Sequence, residues 1–339
     1  MSEKNHTFFG VLPDGTAAEL FHISSERIQA DISTLGATIV SVKLKGPNDQ
    51  WTDVALGFDT AGEYLTRPGN LGATIGRYAG RIANGTFRLN GKTVSLPQNR
   101  GSHTIHGGPE GFHRRLWTVK GTSDKHIELE LYSPDGDQGF PGSMTVQAVF
   151  SVEDTVLKLD IWAISDKDTV CNLTNHVYWN LSGHDSGTID RHLLAVPADA
   201  YLETDAEKIP TGKTLPAGTG MPALQDATLL EGLSFDHTYL LPKDGALHLA
   251  AWVMDRSSGR QMKVWTDLPA VQVYTADSFP KNTPGKDGAN YGPRSGFCLE
   301  AQYYPDSPNH PEFPPTLLKA NEKAHHQIYW EFDLRKEEY

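Results

Sequence analysis

The chain has 339 residues, of which 38% are hydrophobic and 21% charged, enough apolar material for a large core and too little charge for a disordered chain. Its 30 basic and 42 acidic residues give a formal charge of −12, and no long basic run interrupts the sequence. Nucleic acid and anionic membranes both require clustered Lys and Arg, so neither is an expected partner.

Met1 to Thr7 runs straight into a strand-like segment, without the basic-then-apolar pattern of a secretion signal. No window reaches the roughly 18 apolar residues of a membrane span, and a cytoplasmic location is expected. Strand signals then dominate: segments 27–45, 125–133, 144–152, 157–165, 261–267 and 270–277 are rich in Val, Ile, Leu, Phe, Trp and Thr, several with period two. Helical turns are expected only at 61–65 and 226–233. Phe87 to Val94 reads as a hairpin, because Asn90-Gly91 suits a two-residue type I′ turn. Stretches 66–86, 100–114, 202–224 and 280–296 read as long loops, which in a compact domain usually build a binding surface. Cys171 and Cys298, the two cysteines, lie in strand-like runs and read as buried thiols of a reducing compartment. The Asn-x-Ser/Thr triplets at Asn5, Asn84, Asn172 and Asn180 are taken as chance matches. With no linker, low-complexity tract or repeat, residues 1–339 are expected to form one domain. The expected fold is all-β, a large antiparallel β-sandwich with a few short helices and functional loops on one face.

Common chemistries fall away on spacing. A phosphate loop needs glycine five positions before Gly-Lys-Thr, but Gly91-Lys92-Thr93 has Thr86 there and Gly212-Lys213-Thr214 has Glu207. Gly183 to Gly187 fails the serine-hydrolase spacing, and no Gly-x-Gly-x-x-Gly follows a strand. His103 with His106, and His325 with His326, lack the nearby carboxylates or thiolates of a zinc site. No metal and no cofactor are expected.

Five polar clusters remain. Gly72 to Phe87 sets Arg77 and Arg81 among glycines, with Arg77 alone reading better as structural. His106-Gly107-Gly108 gives a histidine room to face a ligand. Asn172 to Leu181 packs His176 beside Tyr178 among aromatics and amides, a setting that fixes a tautomer and shifts a pKa. Phe235 to Tyr239 holds Asp236 between aromatics. Gly296 to Asn309 carries Glu300 and Gln302 in a run that otherwise looks buried, where a glutamate is rare unless paired or functional. Aromatic faces stack on the C–H surfaces of sugar rings, while carboxylates and amides take the hydroxyls. Taken alone, these residues point to a carbohydrate site.

In this order the segments resemble the aldose 1-epimerase (galactose mutarotase) family: the arginine segment, His106-Gly-Gly, "SPDGDQGFPG" at 133–142, "NLTNHVYWNL" at 172–181, "FDHTY" at 235–239 and "GFCLEAQYYPDSPN" at 296–309. The resemblance implies a galactose-mutarotase-type supersandwich that needs no cofactor. It implies a free aldose such as glucose or galactose as the partner, and a monomer or homodimer. It makes Glu300 the base and His176 the acid, and gives Arg81, His106, Asp236, Tyr178 and Gln302 to the substrate. Gly80, where the family often has Asn, Ala301, where it often has Thr, and residues 275–279 depart from the pattern and bear on the preferred sugar. Other readings of the same residues are a non-catalytic sugar-binding module, a mutarotase for hexose phosphates using Arg77 and Arg81, and a glycosidase using Asp236 with Glu300.

Overall fold

Period-two alternation becomes sheet geometry directly. In the computed structural model, which describes residues 5–333, strands Met144–Glu153 and Val156–Ser165 alternate buried and half-exposed residues along most of their length. They sit inside a nine-stranded sheet whose paired strands are all antiparallel. Val146, Ala148, Phe150, Leu157, Leu159 and Ile161 line its inner face at 0% exposure. Each of the larger side chains contributes about 1.5–3 kcal/mol by leaving water.

Two five-stranded antiparallel sheets complete the core. The first is N-terminal, from His6–Val11 to Trp51–Asp53, and adds Ile28, Ala30, Ile32, Val42 and Leu44 to the same apolar cluster. The second joins Pro210–Pro216, Ala200–Thr204, Asp236–Leu240, Ala270–Tyr274 and Cys298–Gln302. Its Tyr239, Val271, Val273, Leu299 and Ala301 point into the core, which leaves its other face free to build a site. The chain is thus the expected all-β sandwich.

Local expectations fare unevenly. The helix at 61–65 forms as Ala61–Thr66, its start fixed by the Thr60 N–H donating to the Glu63 carboxylate (2.9 Å). The hairpin forms as well, Thr86–Leu89 against Lys92–Ser95, with Asn90 and Gly91 both at positive φ (48° and 78°) as a type I′ turn requires. Segment 27–45 splits into Ile28–Ser33 and Thr38–Lys45, because Gly36 and Ala37 adopt positive φ between them. The expected helical turn at 226–233 is a correction. Thr228–Leu229 is extended and pairs with Leu193 and Leu194, since a sheet edge satisfies its backbone better than an isolated short helix would. Nor is 202–224 a loop: it holds most of a hairpin, Ala200–Thr204 with Pro210–Pro216. Asn172 and Asn180 are fully buried, as is the thiol of Cys298, and both cysteines are unpaired.

Candidate active site

The free face of the second five-stranded sheet forms the floor of the site. Its register sets Thr238 beside Gln272 and Gln272 beside Glu300. Alternation along the last strand then puts Cys298, Glu300 and Gln302 on one face and Leu299 and Ala301 in the core. Arg81 arrives on the short strand Arg81–Ile82, which pairs with Thr104–Ile105 and brings His106 alongside. His176 and Tyr178 follow Thr174–Asn175, itself paired with Thr74–Ile75. Together these elements enclose a cavity of about 410 Å³ that Arg81, His106, His176, Tyr178, Asp236, Glu300 and Gln302 all line. The seven residues singled out in the sequence meet in one place.

Buried amides and a buried carboxylate clamp the segments to each other. Asn172 Nδ2 donates to the Ala79 carbonyl (3.0 Å) and its Oδ1 accepts from the Tyr303 N–H (2.8 Å). Asn175 Nδ2 donates to the Gly72 carbonyl (2.8 Å). Asp306 accepts from the Ala83 N–H (2.9 Å) and donates its own N–H to the Arg81 carbonyl (2.8 Å). The polar richness of the 172–181 and 296–309 motifs is therefore largely structural, and each such bond contributes about 0.5–1.5 kcal/mol net.

The two glycines after His106 serve the backbone more than the ligand. Gly107 lies at φ +81°, and a Cβ there would sit 1.9 Å from the Gly76 carbonyl oxygen. His106 itself is left-handed at φ 52°, and its Nδ1 accepts from the Gly80 N–H (3.3 Å). A nitrogen that accepts carries no proton, so Nε2–H is the donor that remains. Gly80 is also at positive φ (76°), a conformation that Asn tolerates better than most residues. Ala301 faces the core and touches no part of the cavity. Of residues 275–279, Ser278 and Phe279 line it.

His176 is held on three sides. Tyr178 stacks on it nearly parallel (5.1 Å, 14°), His106 meets it edge-on (5.2 Å, 78°), and its Nε2 lies 3.6 Å from Glu300 Oε2. Burial dominates the electrostatics of this pair. It pushes Glu300 up to about 8, helped by the nearby Asp236 carboxylate and only partly offset by Arg81. It pulls His176 down to about 4 against the opposing pull of its own carbonyl and of Asp236. Near neutral pH this pocket favours the proton on the carboxyl and a neutral imidazole, the reverse of the carboxylate–imidazolium arrangement expected from sequence. His106 is likewise held well below its ordinary value, by burial first and then by the neighbouring His176.

Arg81 Nε, Glu300 Oε2 and Gln302 Oε1 are buried without a hydrogen-bond partner, and all three residues line the cavity. Leaving such an atom unpaired costs about 1–3 kcal/mol, so one donor and two acceptors await polar groups of a ligand. Gln272 was not singled out in the sequence. Its Nε2 donates to Asp236 (2.7 Å) and its Oε1 accepts from Thr238 (2.5 Å), which fixes the direction of the Asp236 carboxylate. Its place in a period-two strand was legible; its neighbours across the sheet were not. Arg100, Lys208 and Tyr274 also line the cavity without having been foreseen. Arg77 does not reach it: the buried guanidinium donates to Ser133 Oγ and to the carbonyls of Ser133, Pro134, Pro141 and Gly142.

His106, His176 and Glu300 place one potential ligand atom each within 4.8 Å of one another, the single such grouping among the described residues. Local spacing could not reveal it, since the three come from separate segments. A bound ion would occupy the same lone pairs that proton transfer needs, so the two uses exclude each other. Of the other histidines paired in the sequence, His103 accepts from the Asn84 N–H (3.0 Å), and His325 stacks on Trp162 (3.6 Å).

The aldose 1-epimerase family model matches residues 19–330. The chain belongs to the aldose 1-epimerase family. Among family relatives, the galactose mutarotase of Sus scrofa is 37% identical over 342 residues, covering 98% of this chain and 100% of that protein. The aldose 1-epimerase of Escherichia coli strain K12 is 34% identical over 316 residues, covering 89% and 91%. The crystal structure of the GalM/aldose epimerase homologue from C. elegans superposes with a TM-score of 0.87 at 27% identity, covering 94% of this chain and 99% of that one. Among the described residues no helix is long and apolar enough to cross a membrane.

Proposed function

We propose that this member of the aldose 1-epimerase family interconverts the α and β anomers of free aldoses such as galactose and glucose by opening and reclosing the hemiacetal ring. Support comes chiefly from one contact, His176 Nε2 at 3.6 Å from Glu300 Oε2, made inside a cavity whose unpartnered polar atoms call for hydroxyl groups. Contacts of this length commonly tighten once substrate is present.

The pair shares one proton. With it on His176, the Glu300 carboxylate takes the O1 proton, the C1–O5 bond breaks as C1=O1 forms, and the imidazolium protonates O5. Opening leaves a protonated carboxyl and a neutral imidazole, which is the distribution that burial favours. The aldehyde turns about C1–C2, and the reverse transfers close the ring on its other face. Arg81 and the His106 Nε2–H donate to ring substituents, while Asp236 and Gln302 receive hydroxyls and hold the ring against Tyr178. The unpaired, buried cysteines fit a cytoplasmic location.

Polarimetry of freshly dissolved α-galactose and α-glucose tests the activity. Decay of rotation should accelerate with enzyme concentration, and Glu300→Gln or His176→Asn should lower kcat by about 10²- to 10⁴-fold. Saturable sugar binding without acceleration would make the chain a binding module instead. Retention of more than about a tenth of wild-type activity in Glu300→Gln would remove that residue as base, since even weak acid–base catalysis contributes more. Arg100 and Lys208 on the cavity wall favour a second reading, a hexose phosphate as substrate. Faster turnover of hexose 6-phosphate than of the free hexose would select it.

A further inference from the structure

Cys298 is fully buried, does not reach the cavity wall, and has no place in the proton transfers above. It nevertheless stands two residues before Glu300 on the same face of the same strand. The two residues address the two nitrogens of one ring. Glu300 Oε2 lies 3.6 Å from His176 Nε2, and Cys298 Sγ lies 3.5 Å from His176 Nδ1, within hydrogen-bonding reach for sulfur. We propose that Cys298 is a positioning residue that holds His176 in the tautomer protonated at Nδ1, so that the Nε2 lone pair faces Glu300 and the sugar.

The direction of the bond follows from the ring's other contacts. Nε2 faces the Glu300 carboxyl, from which it must receive the shared proton, so Nε2 presents its lone pair there. A neutral imidazole bears one N–H, so Nδ1 then carries the hydrogen. The sulfur is then the acceptor for that N–H. Tyr178 supports the arrangement: its ring stacks on His176, and it shares one buried cluster with Cys298. A thiolate is not needed, and burial holds the thiol well above its ordinary range, so the sulfur stays neutral.

The chemistry requires this tautomer. In the shared-proton pair, Nε2 must first receive the proton from Glu300 and then pass it to O5. With the proton on Nε2 from the start, the neutral ring could give it up only as imidazolate, which is inaccessible near neutral pH. Cys298 acts by excluding that form. The inference rests on His176 being the acid, and it is read out independently of activity.

The test is ¹⁵N NMR of the imidazole in the full-length protein, with steady-state polarimetry of wild type, Cys298→Val, Cys298→Ala and Cys298→Ser. Wild type should show a protonated Nδ1 and an unprotonated Nε2. Val and Ala remove the acceptor and should mix the two forms, lowering kcat by about 10-fold, a fraction of what the acid itself supplies, with KM nearly unchanged. Ser restores an acceptor and should outperform Val. Packing alone predicts the opposite order, because Val fills the apolar site and Ser does not. The proposal fails if Val matches or exceeds Ser in kcat, or if the His176 nitrogen signals are unchanged in Val and Ala. If His176→Asn kept activity, the acid assignment would fail whatever the tautomer.

Discussion

At the scale of single residues, burial decides more than charge. Arg81 attracts the Glu300 carboxylate, yet loss of water and repulsion from Asp236 win, and the group titrates near 8. The same loss of water drives His176 down to about 4. Between these values the pair carries one proton, and only that state contains both an acid and a base. Below about 4 both groups are protonated and no base remains; above about 8 both have lost their protons and no acid remains. The pH profile of kcat/KM should therefore be a bell with limbs near these values, measurable by polarimetry or by NMR exchange across buffers. A rate still rising through pH 9 would contradict the pairing. Glu300 and His176 could be named from sequence because the motifs around them are long. Their protonation could not, because desolvation depends on what the whole fold packs around them.

At the scale of elements, the site depends on a few backbone conformations that side chains rarely tolerate. Gly107 permits the 106–108 turn to pass against the Gly76 carbonyl, and the turn aims His106 at His176. Gly107→Ala adds a Cβ where there is no room and forces a strained φ, so it should cost about 1–3 kcal/mol of stability and displace His106. We expect a loss of kcat/KM of at least 10-fold, since misplacement by about 1 Å can cost 10²-fold. Wild-type kinetics in Gly107→Ala, alongside an unchanged Tm, would show that the turn is not under this constraint. The glycines were visible in the sequence as a motif; that one of them answers a carbonyl thirty-one positions upstream was not. The failed helix at 226–233 teaches the same lesson: its leucines fit either structure locally, and pairing with Leu193 and Leu194 chose the strand.

At the scale of the molecule, the site draws on the stability of the sandwich. A carboxyl with a raised folded pKa favours the native state below its ordinary value of 4.5, and that contribution is lost as pH rises through about 8. Each pH unit in this window costs about 1.4 kcal/mol. Glu300→Gln removes the titration, so its stability relative to wild type should climb between pH 5 and pH 8 and level off above. Denaturant melts of both proteins at pH 5, 7 and 9 test this. A constant difference across the three would mean that Glu300 titrates alike in the folded and unfolded chains. Glu300→Gln being more stable than wild type at pH 9 is the expected signature of a site built at the fold's expense.

The sequence by itself determined the all-β class, most of the long strands, the Asn-Gly hairpin and the seven residues that meet in the cavity, because alternation and turn chemistry are local and the motifs lie in family order. Tertiary structure decided the rest. Register across three strands set Gln272 between Thr238 and Glu300, folding buried Arg77 away from the cavity that Arg100 and Lys208 line, and packing set the thiol of Cys298 against His176. Contacts between residues far apart in the chain, and the water that those contacts exclude, have no local signature.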